Sequence, residues 1–255
     1  MKKMRHVLLA LLLTGVLILG AGAPGNSEIL AKSDQWRSFF SIYGWLPAIT
    51  GDVKVKGLES DLDVTYSDVL NNMDFFFMAH YEGFKGQWGI MLDGMYAQLE
   101  FEKEHPGGAV PGRRQVKFTQ SLVELAVPYR LTWNPVVADV FFGVRYNYIY
   151  TEIAIPSRAV KKDDTLAFLD PIVGGRVFFP LAKGWTLGLR GDIGGFGIGN
   201  ASDLALNGNA FVNWQINEVL SLHEGYRALY MKYNSGESEW NGTQHGPWMG
   251  IGFSF

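Results

Sequence analysis

Charged residues recur at alternate positions inside long apolar runs, and their types define the chemistry this chain can hold. Glu82, Asp93, Glu124, Asp139, Asp170 and Asp192 share such runs with Arg130, Arg145, Arg176, Arg190 and Arg227, and His80 lies two residues from Glu82. If the runs are strands of a closed sheet, alternation turns all of these groups to one enclosed face. An unpaired charge there is heavily penalised, whereas a guanidinium can bridge carboxylates on neighbouring strands with two hydrogen bonds. Two roles follow: an ion-pair network that fills the interior, or charged rings that set ion preference in a narrow water-filled pore. Arg190 and Asp192 are neighbours on that face, and pairing with Asp170 and Arg176 across the ladder makes these four the expected centre.

Other chemistries are poorly supplied. A hydrolase needs a nucleophile beside a base where its substrate can reach them, here near the rim of the closed sheet. Beyond residue 23 the histidines are His80, His105, His223 and His245. His80 and His223 fall toward the opposite half, and His105 sits in a Pro/Gly loop. His245 near Ser238 is the one conceivable pairing, so no catalytic residue is assigned. Glu59, Asp61, Asp63 and Asp68 offer oxygen ligands of the kind Ca²⁺ takes, but scattered carboxylates in an exposed hairpin are read as solvated. No metal and no cofactor is expected. Gly195-Phe196-Gly197-Ile198-Gly199 has the look of a nucleotide loop without the helix that must follow one, so its small residues serve packing and coiling instead.

The elements that must position these charges are strands. Alternation and turn residues predict ten of them, at 35–49, 73–85, 86–102, 113–133, 136–154, 164–182, 184–199, 201–216, 219–235 and 243–255. Val140, Phe142, Val144, Tyr146 and Tyr148 take one face of 136–154, and Asp139, Gly143, Arg145 and Asn147 the other. Connections alternate between tight turns (Lys85-Gly86, Asn134-Pro135, Lys183-Gly184, Asn217-Glu218) and longer polar loops near 50–72, 103–113, 154–163, 198–203 and 235–243. That asymmetry is the signature of an antiparallel transmembrane β-barrel with short periplasmic turns. The segment 51–66 reads as an external hairpin followed by a helical turn over Ser67–Met73; placed in the wall instead, it raises the count to twelve. The range open to the pattern is 8–12.

Trp88, Tyr129, Trp133, Trp185, Trp214 and Phe253 cluster near the predicted periplasmic ends, and Tyr96, Tyr148, Tyr150, Tyr230 and Tyr233 near the opposite ends, as two interfacial belts require. Glu224 falls on the outward face, where a carboxylate is costly. In the last run Met249, Ile251, Phe253 and Phe255 alternate with Trp248, Gly250, Gly252 and Ser254. Phe253 and Phe255 are the expected assembly signal of an apolar closing strand.

Residues 1–23 read as a signal peptide: Lys2, Lys3 and Arg5, an apolar stretch from Val7 to Gly20, then Ala21-Gly22-Ala23. That stretch is short of the roughly 20 residues a helical span needs. A short segment 24–33 follows, then one barrel domain over 34–255. Hydrophobic residues make up 47% and aromatics 14%, with 31 Gly and no Cys, which excludes a disulfide framework and thiol chemistry. Removing Lys2, Lys3 and Arg5 from 22 basic residues leaves 19 against 25 acidic, an unfavourable balance for nucleic acid. The expected partners are outer-membrane lipids, lipopolysaccharide and the barrel-assembly machinery.

The strings Tyr43-Gly44-Trp45-Leu46-Pro47, Tyr66-Ser67-Asp68-Val69-Leu70, Asp170-Pro171-Ile172-Val173-Gly174, Gly191-Asp192-Ile193-Gly194-Gly195-Phe196-Gly197 and Gly225-Tyr226-Arg227 carry a further signal. Together they resemble a group of proteobacterial outer-membrane β-barrel proteins, related in fold to the small OmpA-like barrels. The resemblance spans nearly the whole chain after the signal. It implies the fold and the outer-membrane location and brings no catalytic residues. Glu224 departs from it, since a small or apolar residue is expected before Gly-Tyr-Arg.

Overall fold

A computed structural model describes residues 34–105, 112–156 and 159–255. The expected signal peptide over 1–23 and the expected segment 24–33 therefore lie outside the described residues, as do parts of the loops at 103–113 and 154–163. The alternating runs form twelve strands: β1 (Arg37–Trp45), β2 (Ala48–Val55), β3 (Leu58–Val64), β4 (Met73–Lys85), β5 (Trp88–His105), β6 (Gly112–Trp133), β7 (Val136–Ile155), β8 (Val160–Ala182), β9 (Trp185–Gly195), β10 (Leu204–Gln215), β11 (Leu220–Asn234) and β12 (Glu239–Ser254).

Ten of them, β1 and β4 to β12, pair antiparallel in chain order. They close into a barrel where Phe39–Trp45 of β1 run opposite Ser254–Trp248 of β12. The chain then bends at Leu46-Pro47 and continues as β2 along the upper half of the same strand, Ala48 opposite His245 through Lys54 opposite Glu239. β3 folds back outside β2. The 51–66 hairpin thus adds two strands beyond the ten-stranded wall. A short helix, α1 (Tyr66–Asn72), returns the chain to β4. Thr65 starts it with a capping box: its hydroxyl accepts from the Asp68 amide at 3.2 Å, and the Asp68 carboxylate accepts from the Thr65 amide at 2.9 Å.

Several boundaries differ from the sequence expectation, among them the strand expected over 35–49, which ends at Trp45 before the Leu46-Pro47 bend. The strands expected over 184–199 and 201–216 stop at Gly195 and resume at Leu204. Gly195, Phe196, Gly197 and Gly199 take φ of 89°, 66°, 62° and 62°, a left-handed stretch that no strand tolerates and that glycine adopts without a steric penalty. Conversely, β12 begins at Glu239 inside the expected loop, because β2 supplies the partner that extends it.

Strand length divides the barrel by height. β9 and β10 have 11 and 12 residues, close to the roughly 9–11 that cross a hydrocarbon layer. β6, β7 and β8 have 22, 20 and 23, so they project well past the loop end. The outward face carries an apolar band that includes Leu92, Leu125, Phe142, Val144, Val173 and Leu189. At the short-turn end Trp88 packs edge-on against Tyr129 (4.9 Å between rings), and Trp185 stacks on Trp214 (5.4 Å). Tyr233 does not join the opposite belt. It shares the inward parity of Leu229 and Met231, stacks on Phe168 at 4.1 Å and donates to Asn200 Oδ1 at 2.6 Å.

Candidate functional site in the barrel lumen

Alternation turns the charges inward, and register makes them neighbours. One row of directly opposed residues runs His80, Asp93, Glu124, Arg145, Asp170 across β4 to β8. A second runs Arg130, Asp139, Arg176, Arg190, Asn209, Arg227 across β6 to β11. Cross-strand neighbours lie about 4.5–5.5 Å apart at Cβ, within reach of a carboxylate and a guanidinium.

The two rows join into one belt. Arg130 grips Asp139 with two bonds, Nε to Oδ1 at 2.8 Å and one terminal nitrogen to Oδ2 at 2.9 Å. Arg176 reaches the same carboxylate at 2.8 Å and Glu82 across the lumen at 2.5 Å. His80 stands 3.9 Å from Glu82 and 3.2 Å from Asp93, to which the Tyr43 hydroxyl donates at 2.9 Å. Arg227 approaches Asp93 at 3.8 Å and donates to Asn207, whose amide donates to Asp192 at 2.7 Å. Arg145 holds Asp192 at 2.6 Å and Glu124 at 2.8 Å, and Arg190 ties the same two carboxylates together from the other side. Arg130 and Arg190 also lie over the rings of Phe84 and Phe141, at 3.7 and 4.8 Å.

Glu82, Asp93, Glu124, Asp139, Arg145, Asp170, Arg176, Arg190, Asp192 and Arg227 all sit on the inward face. The quartet expected at its centre, however, is not assembled. Asp170 accepts from Asn147 at 3.0 Å and from the Ser202 amide at 2.7 Å, so both its oxygens are engaged away from Arg176. Arg176 and Arg190 lie directly opposite each other, which sends their guanidiniums to different carboxylates. The centre is instead Arg145 and Arg190 with Glu124 and Asp192. Sequence reasoning missed Tyr43 as the partner of Asp93. Its inward parity with Phe39 and Ser41 was the available signal.

Above the belt, toward the loops, the interior turns apolar. Gln120 and Gln244 exchange amide hydrogen bonds (2.6 and 3.2 Å). Beyond them Trp240 is fully buried and stacks on Phe118 at 5.4 Å. Ile149, Ile153, Leu229 and Met231 surround it, joined by Val53 and Val55 from β2 and Val69 from α1. Below the belt, toward the short turns, lies a chamber of about 130 Å³ with Phe39, Asn209, Phe211, Arg227 and Trp248 among its walls.

The remaining candidates fall apart or serve elsewhere. Ser238 bonds the Lys56 amide at 3.0 Å and the Asp164 carboxylate, while His245 faces outward, so the two do not meet. His245 Nδ1 instead lies 2.5 Å from the Tyr226 hydroxyl and 3.3 Å from that of Tyr66, the phenols being 3.0 Å apart. This cluster clasps α1 to the outer wall.

A closed antiparallel barrel with every wall strand paired, an apolar outer band and a polar, ion-paired interior defines an integral outer-membrane β-barrel protein. No family model matches the chain, and no curated protein does. Among solved structures it is similar to the outer-membrane protease OmpT from Escherichia coli, at 10% identity over 90% of this chain and 100% of that one, TM-score 0.49. It is also similar to the translocator domain of autotransporter NalP from Neisseria meningitidis (11% identity, 100% of this chain, 96% of that one, TM-score 0.43) and to Ail of Yersinia pestis (9%, 87%, 99%, 0.37).

Glu224 is exposed on the outer face, opposite Val212 and Met249 on the flanking strands. Burying a carboxylate against lipid costs less than burying a basic residue but is still unfavourable. Glu224→Leu is expected to raise the unfolding free energy, read from urea titration in lipid vesicles, by up to about 2 kcal/mol.

Proposed function

We propose that this chain is a non-conducting structural barrel of the outer membrane, its wall braced by the ion-pair belt and its loop end closed by the apolar core. The observation that carries this reading is the sequence of layers along the axis. Past Arg145 and Glu124 an ion would meet the Gln120–Gln244 pair and then Trp240 on Phe118, in a layer that Ile149, Ile153, Leu229 and Met231 make mainly apolar, with buried Thr151 between the two isoleucines. Dehydrating an ion in such surroundings is prohibitive. The reading assigns no catalysis. The outer wall contacts membrane lipid and lipopolysaccharide, and Phe253 and Phe255, both exposed, serve the assembly machinery.

A narrow passive channel is the second reading, favoured by the open chamber on the short-turn side. Planar-bilayer conductance of the refolded, heat-modifiable protein separates the two, run beside Arg190→Ala. Silence from both folded proteins is the expected result. Discrete steps whose ion selectivity shifts in the variant would make the belt a filter and overturn the structural reading.

A further inference from the structure

The chamber below the belt has a mouth, walls and a floor. Thr186, Gln215, Ser221 and Ser254 line it beside the short turns, so it opens toward the periplasm. Its space exists because inward positions on neighbouring strands are glycines under which aromatic rings lie flat. A Cβ on Gly188 would stand 2.3 Å from Phe211 Cζ, and one on Gly252 2.4 Å from Phe39 Cε2. Those rings and Trp248 form apolar walls. The Trp248 indole donates to Asn209 Oδ1 at 2.8 Å, which fixes the amide with its NH₂ group as the remaining donor.

The floor is built of paired charges: Arg176 and Arg190 are held by Glu82, Asp139, Glu124 and Asp192, and Arg227 faces the space beside Asp93 and His80. Arg227 is the loosest member of the belt: Nε bonds Asn207 at 3.0 Å, but the approach to Asp93 is 3.8 Å, too long for a hydrogen bond. Its guanidinium fork can therefore accept a second carboxylate without dismantling the tighter pairs. At about 130 Å³ the chamber approaches the roughly 150 Å³ of an engineered cavity that admits benzene.

From these features we infer that the chamber is a binding site for a ring-sized carboxylate arriving from the periplasm, its ring between Phe39, Phe211 and Trp248 and its carboxylate on Arg227 and the Asn209 amide. The inference rests on the non-conducting reading, in which the belt is the chamber's floor and not a passage. Isothermal titration of the refolded protein in micelles with sodium benzoate tests it, with benzyl alcohol and benzylamine as neutral and cationic rings of similar size. Benzoate is expected to bind at least tenfold more tightly than benzyl alcohol, with benzylamine silent, and Arg227→Gln is expected to lose at least tenfold in affinity. If Arg227→Gln does not fold, Phe211→Trp fills the chamber with the belt intact and is expected to abolish binding. No heat from folded wild-type protein, equal affinity for benzoate and benzyl alcohol, or undiminished binding by the folded variant would overturn the site. Because calorimetry reads no current, conductance with benzoate binding intact would overturn the structural reading alone.

Discussion

Arg145→Ala is expected to cost the folded barrel about 3–5 kcal/mol, the range for breaking a buried pair by removing one partner. Arg145 has no exposed surface, and it serves Glu124 with two bonds (2.8 and 3.2 Å) and Asp192 with one at 2.6 Å. Truncation leaves two buried carboxylates sharing Arg190 where two guanidiniums balanced them. Coupling distinguishes this cause from simple loss of packing. Adding Glu124→Gln to the Arg145→Ala protein removes one orphaned charge and is expected to recover part of the loss, so the two substitutions should be strongly non-additive. Urea unfolding in micelles measures both, and a change below about 1 kcal/mol for Arg145→Ala would mean that the belt is not an energetic centre.

Trp240→Ala is expected to cost a similar amount, about 3–5 kcal/mol, through the cavity left by a fully buried ring. The ring stacks on Phe118 of the long β6, and Trp240 pairs across the ladder with Val53 of β2, so neighbours tied into the sheet can fill the cavity only partly. The same variant bears on the closed loop end. With the Gln120–Gln244 pair and the belt still in place beneath the cavity, it is expected to stay silent in bilayers despite its lower urea midpoint. Current from Trp240→Ala alone would make that indole the seal.

Much of the wall could be read from residue order. In β7 the alternation of Val140, Phe142 and Val144 with Asp139 and Arg145 separates lipid from lumen without further information. Turn and loop lengths then orient the barrel. The partners inside could not be read, because a one-sequence pattern gives each residue's face but not its height. Arg176 and Asp170 share a strand and a face, yet register sets Asp139 beside the one and Arg145 beside the other. The apolar half of the lumen was hidden for a related reason. Inward Ile149 and Ile153 alternate with outward Tyr150 and Glu152, so this stretch of β7 reverses the polar-inside contrast that marks a barrel wall. Its inward face becomes core only because β2 and β3 close over it.

The β2–β3 hairpin leaves one strand without a neighbour. β3 ends the order of the sheet, so its outer backbone groups form an open margin beside the closed barrel. Such a margin is a template for adding a strand from another molecule, and outer membranes crowd barrels side by side. Glu59, Asp61 and Asp63 occupy every second position along β3, all exposed, alternating with Leu58, Ser60 and Leu62. Glu59 lies 4.0 Å from Lys54, while Asp61 and Asp63 add exposed negative charge, and carboxylates along an edge disfavour strand addition by an identical margin. The acidic hairpin that offered itself as a cation site thus has a simpler reading, as protection of a sheet edge.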